Sequence, residues 1–190
     1  AATNGHQVIL SNGYYIDLSN PAWKHYSNDP MPADIGLTPE QQKFVLGGEA
    51  TMWAELVTPE NIDSRIWPRT AAIAERLWSD REVNNIPDMY RRLDVISRQL
   101  EEVGLQHLRN QDVMLRRIAG HDSIQALKTF IQVVEPLKDY NRGGQGIPYS
   151  TDLPLSRLPD IAFPESNTAR DFRMLCEQRV RKRDITVAKE

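Results

Sequence analysis

Cysteine is nearly absent from this chain. Cys176 is its single example, which excludes an intramolecular disulfide and leaves the redox compartment unspecified. Set on an otherwise apolar helix face, it is expected to be a small buried hydrophobe rather than a nucleophile. Excess positive charge is missing as well. A net charge of -3 and a pI near 5.9 offer no global field to gather phosphates, so nucleic acid is a poor partner. No apolar run reaches the length of a membrane span, and no basic segment followed by an apolar stretch opens the chain. His6, His25, His107 and His121 have no i, i+4 partner or cysteine pair, so no metal site and no cofactor are implied. Arg142-Gly143-Gly144-Gln145-Gly146 lies in a turn-rich stretch without the strand-to-helix context of a phosphate loop.

What remains is an ordinary mixture, 40% hydrophobic and 26% charged over 190 residues, enough to bury one core or one core with an appendage. The start at Ala1, running almost directly into strand-like residues, suggests a cut inside a longer protein. Val8-Ile9-Leu10 reads as a short buried strand, ended by Ser11-Asn12-Gly13 before Tyr14-Tyr15-Ile16-Asp17-Leu18. Prolines at 21, 30, 32 and 39 predict a long irregular loop from Ser19 to Pro39. A second strand candidate covers Val45 to Trp53, and Pro68 opens an Ala-rich helix with Ala71, Ala74 and Leu77 on one face.

Further helices are expected from Pro87 to Val103, with Met89, Leu93, Ile96, Leu100 and Val103 as its stripe, and along Ile124, Leu127, Ile131, Val134 and Leu137. A Gly/Pro-rich loop is expected at 141–164, then a last helix over Thr168–Arg183. Its Arg179, Arg181, Lys182 and Arg183 read as solvated surface rather than a nucleic-acid patch. The alternation of strand, loop and helix is that of an α/β fold.

Three stretches in register resemble the β-N-acetylhexosaminidase family of glycoside hydrolases: Val8 to Leu18, Gly47 to Glu55, and Arg65 to Ser79. Ile16, Thr51 and Ala54 stand where the family commonly has Leu, Cys and Gly, changes of similar size beside the functional positions. The resemblance implies a C-terminal fragment of a (β/α)8 TIM barrel, its seventh and eighth strands, over residues 1–110. A mostly helical extension would follow over 111–190. In such barrels the active site lies at the C-terminal ends of the strands. Two strands cannot close a barrel, so the fragment is expected to expose strand edges and to self-associate through them.

By the same resemblance the substrate is an amino-sugar glycan, and its own 2-acetamido oxygen performs the displacement. Tyr15 would orient the acetamide as a catalytic group and Trp53 would wall it. Asp17 and Glu55 would bind the hydroxyls on carbons 4 and 6, where ionised acceptors make strong hydrogen bonds. The family's general acid is a Glu directly after an Asp. No such pair occurs here, and Glu101-Glu102 sits inside a periodic helix. Glu49 has a structural role by resemblance. The parent protein is implied to be secreted, periplasmic or lysosome-like. A non-catalytic carbohydrate-binding or helical interaction module remains the alternative, under which the aromatics are core fillers and the acids solvated charges.

Overall fold

The computed structural model describes residues 1–146, 150 and 155–187. Two parallel strands, β1 (Val8–Leu10) and β2 (Val45–Gly48), form the sheet among the described residues. Val8 pairs with Val45 and Leu10 with Gly48, with a register shift after Val8. The helices are α1 (Ala22–Tyr26), α2 (Pro39–Gln42), α3 (Ile62–Ile66), α4 (Arg69–Trp78), α5 (Ile86–Glu102), α6 (Arg109–Ala119), α7 (Gln125–Ile131), α8 (Asn141–Gly144), α9 (Leu158–Ile161) and α10 (Asn167–Val187).

One side of the sheet is covered. Leu10 and Met52 pack with Tyr14, Ile16, Ile66 and with Ile73 and Leu77 of α4. Contact is close at Gly48, where a Cβ would stand 2.7 Å from the Tyr14 ring and 3.1 Å from both the Leu10 carbonyl and Leu77. On the sheet residues that α4 does not cover, Ile9 and Leu46 remain exposed.

The expected irregular loop after Ser19 contains a helix. Pro21 is extended and precedes α1, whose Ala22 and Tyr26 join Ala72 of α4 and Met89, Tyr90 and Leu93 of α5 in one cluster. The α4 face also differs from expectation. Arg69, Ala72, Ile73 and Arg76 point inward while Ala74 is exposed. Both guanidinium groups find partners there, so their burial is compatible with charge. Arg69 donates to the carbonyls of Asn20 (2.7 Å) and Ile16 (2.8 Å), and Arg76 pairs with Asp29 at 3.3 Å.

In α5 the first half of the expected stripe is buried, at Met89 and Leu93, and then the buried line passes to Ser97 while Ile96 and Val103 face solvent. A strict seven-residue repeat drifts on an unsupercoiled helix, and Ser97 finds a partner in His107 Nε2 at 2.8 Å. The third expected stripe is helical only to Ile131, so Val134 and Leu137 lie beyond the helix and Leu137 is exposed. Pro136 disfavours a helical residue before it.

Helix α6 was not anticipated, and its Met114 and Leu115 pack with Ile131, Ile161 and Ala162. That cluster corrects the expectation of a draped loop at 141–164, because its described part carries α9 docked in a core. Residues 147–149 and 151–154 of that stretch lie outside the described residues. Helix α10 is longer than expected, Asn167–Val187, and Cys176 on it is exposed rather than buried. Of the basic run, Arg179 is exposed and the side chains at 181–183 lie outside the described residues.

Arg65 ties the first half of the chain to the last. Buried in α3, it donates to the carbonyls of Asp160 (2.8 Å), Ala162 (2.9 Å) and Pro159 (3.2 Å), and Asn61 adds a bond to Asp160 at 3.2 Å. Helix α10 is held by Arg170 over the Tyr90 ring at 4.4 Å. No helix among the described residues is long and apolar enough to cross a membrane.

Candidate sugar-binding site

The turn at Ser11–Gly13 carries the chain off the end of β1, with Gly13 at φ 88 and Tyr14 N–H bonded to the Ser11 carbonyl at 2.9 Å. Tyr14 then turns into the core, and burial pushes its phenol up to about 12. Its neighbour Tyr15 faces the other way and pairs in parallel with Thr51, so the chains leaving the two strands stay side by side. Ile16 N–H donates to Thr51 (2.9 Å), and Thr51 N–H to Tyr14 (3.1 Å).

A 3-10 turn at Ile16–Leu18 follows and presents Asp17. Arg69 clamps this turn from below through the carbonyls of Ile16 and Asn20. Burial, then the adjacent Arg65, pushes the Arg69 guanidinium down to about 9, which still leaves it cationic at neutral pH beside the Asp17 charge.

Asp17 and Trp53 line one cavity of roughly 300 Å3, within the low range of ligand pockets. Leu137, Tyr140, Arg157 and Asp160 close it from the C-terminal half. Asp17 is 8% exposed, and its two oxygens differ. Oδ2 accepts a hydrogen bond from the Tyr140 phenol, whereas Oδ1 is buried with no hydrogen-bond partner. A buried carboxylate oxygen without a donor is costly, so Oδ1 is an unmet acceptor in the wall of the cavity. Trp53 is 57% exposed, an indole laid open to whatever enters.

Glu55 is exposed and meets the same phenol, its Oε2 at 3.3 Å from the Tyr140 oxygen. Thus Asp17 and Trp53 share the cavity, and Glu55, which is not among its lining residues, is linked to Asp17 through the phenol of Tyr140, a residue without a strong sequence signal. Tyr15 is half-buried on the neighbouring bridge and is not among the residues that line the cavity. Glu49 accepts from Ser11 at 2.6 Å, a bond between the two strand ends.

Tyr140 had no local signal beyond an aromatic in a turn-rich stretch. Burial first, then the Asp17 carboxylate, push its phenol well above the ordinary value, so it remains a donor. Asp139 and Tyr140 both adopt left-handed backbone, φ 53 and 56, and are pinned by bonds from Asp139 N–H to Leu18 (3.1 Å) and from Asn20 Nδ2 to Asp139 (3.0 Å).

With this geometry in view, comparison places the chain among known proteins. Residues 1–81 match the profile "Glycosyl hydrolase family 20, catalytic domain". Beta-hexosaminidase subunit beta of Sus scrofa is 43% identical over 93 residues, 48% of this chain and 17% of that protein. The human subunit beta is 42% identical over 93 residues, 47% of this chain and 16% of that protein. The crystal structure of a chitobiase from Flavobacterium johnsoniae superimposes with a TM-score of 0.89 at 44% identity, covering 96% of this chain and 28% of that one. The chain therefore spans less than a fifth of the length of these curated relatives.

Proposed function

We propose that this chain, whose residues 1–81 match the profile of the glycosyl hydrolase family 20 catalytic domain, is the sugar-gripping part of a hydrolase that removes terminal β-linked N-acetylglucosamine or N-acetylgalactosamine. Asp17 carries the reading. It is a buried carboxylate at a cavity, with one oxygen held by a phenol and the other awaiting a donor.

In this reading β1 and β2 are the last two strands of a (β/α)8 barrel over residues 1–110, and residues 111–190 are a helical extension that closes the pocket. Parallel strands in such folds are covered on both faces. The exposed Ile9 and Leu46 accord with a missing layer on one side. The chemistry is substrate-assisted retention. Tyr15 donates to the acetamide oxygen and orients it towards the anomeric carbon, Trp53 walls the methyl group, and Asp17 and Glu55 take the hydroxyls on carbons 4 and 6. Tyr15 lies off the cavity here, and its role requires the acetamide to extend past Trp53 towards the Tyr15–Thr51 bridge. The Asp-Glu acid pair is not among these residues, so the chain by itself does not turn over glycosides.

The test uses the longer polypeptide that carries this chain, assayed with an aryl β-N-acetylglucosaminide. Asp17→Ala or Glu55→Ala should lower kcat/KM about 10- to 100-fold, the scale of a lost hydrogen bond to a charged group. Tyr15→Phe should act mainly on kcat, by about 100-fold. The isolated 190-residue chain should give no turnover above a Tyr15→Phe, Glu55→Ala control, and turnover above it would overturn the reading of the chain as incomplete. Sugar binding without hydrolysis by the longer polypeptide would instead indicate a carbohydrate-binding module.

A further inference from the structure

We propose that Tyr140 is a positioning residue of the sugar pocket, its phenol holding the Asp17 and Glu55 carboxylates at the spacing in which they receive hydroxyls of a pyranose ring. This rests on the reading of those two acids given above and adds a working part from a segment more than eighty residues away in sequence.

The phenol has one proton and two carboxylate neighbours. It gives that proton to Asp17, and the Glu55 oxygen stands 3.3 Å away. Two anions drawn this close to one point repel unless a donor lies between them. The burial and charge around Tyr140 keep its proton in place. Asp17 Oδ2 is thereby occupied and Oδ1 left over, so the carboxylate has a fixed orientation and one vacant acceptor. A ring hydroxyl supplies the missing donor.

The backbone shows that this placement is imposed rather than incidental. Two successive non-glycine residues in left-handed conformation are rare, and they persist where surrounding bonds over-determine them. Here the bonds come from Leu18, the last residue of the turn that bears Asp17, and from Asn20 just beyond it. The carboxylate and the phenol that orients it therefore share one frame. The cavity of roughly 300 Å3 stays open beside the ring, so Tyr140 walls the pocket without filling it.

The experiment titrates the 190-residue chain with N-acetylglucosamine and its 4-deoxy and 6-deoxy analogues, following the Trp53 indole resonance by NMR. Tyr140→Phe keeps the ring and removes the bond, and its retained amide spectrum verifies the fold. Wild type is expected to bind N-acetylglucosamine, and Tyr140→Phe to bind it about tenfold more weakly. The difference should shrink or vanish for at least one deoxy analogue, because that ligand lacks the hydroxyl whose acceptor Tyr140 holds. Equal affinities of wild type and Tyr140→Phe for all three sugars, with Asp17→Asn impaired, would overturn the role of Tyr140 and leave the site intact. A uniform weakening across all three would reduce Tyr140 to a structural role and also overturn the proposal. Absence of any shift in wild type would overturn the reading of the site and the proposal with it.

Discussion

At the scale of single residues, His25 shows how burial becomes a pH response. It is 1% exposed, its Nδ1 bonds the Gly13 carbonyl at 2.8 Å, and its Nε2 has no partner. Burial, partly opposed by that bond, pushes it from 6.5 down to about 4. The unfolded chain therefore takes up a proton near pH 6.5 that the folded chain refuses until about pH 4. The stability tied to this residue is complete above pH 6.5 and is lost as pH falls towards 4, by at most about 3 kcal/mol. Thermal unfolding between pH 7 and 4 should show a shallower decline for His25→Gln than for wild type. Parallel curves would mean that His25 is not neutral in the fold. The same scale divides what the residues themselves declare from what they do not. Asp17 was legible because it follows a strand in a recognisable string, and Trp53 because it ends a second such string, expected to be strand throughout although β2 stops at Gly48. Tyr140 was not, because the bond that makes it matter joins positions 123 apart in sequence.

At the scale of elements, the interface between sheet and α4 is tight enough to be tested by one methyl group. Gly48 lies against the Tyr14 ring, the Leu10 carbonyl and Leu77, all at 3.1 Å or less from an added Cβ. Gly48→Ala should cost about 1–3 kcal/mol, the usual scale of overpacking. A denaturant midpoint unchanged from wild type would show that the sheet can shift to make room. Periodicity, with proline marking the start of α4, located α4, α5 and α7; the α7 stripe packs as expected at Ile124, Leu127 and Ile131, whereas the buried face of α4 and of the second half of α5 was misjudged. Apolar spacing overlooks an arginine that turns inward because carbonyls await it, as Arg69 does, and a serine that does so to meet a histidine, as Ser97 does. The loop expected after Ser19 hid α1 for a related reason. Five residues are too few for a stripe, and what holds them is Tyr26 packed against partners from α4 and α5.

At the scale of the whole molecule, the two-stranded sheet leaves each strand with an edge that has no strand neighbour among the described residues. Ile9 and Leu46, 54% and 57% exposed, add apolar surface beside those edges. Such a surface promotes association. Sedimentation velocity should therefore show the isolated chain associating as its concentration rises through the micromolar range, with Ile9→Lys shifting it towards monomer. A single species independent of concentration would rule this out. The strands were legible because a short apolar run ended by polar or glycine residues marks each, although β1 exposes Ile9 where a buried strand was expected and β2 ends at Gly48 instead of Trp53; the docking of the C-terminal half depends on contacts that local pattern does not encode.

Arg65 sets a rule for exchanging parts. Its three carbonyl partners lie on a stretch almost a hundred positions downstream, so a chimera with a junction anywhere between them joins an arginine from one parent to a cradle from another. Recombinants that respect this pairing should inherit the pocket as one unit. Those that break it would inherit walls that no longer meet.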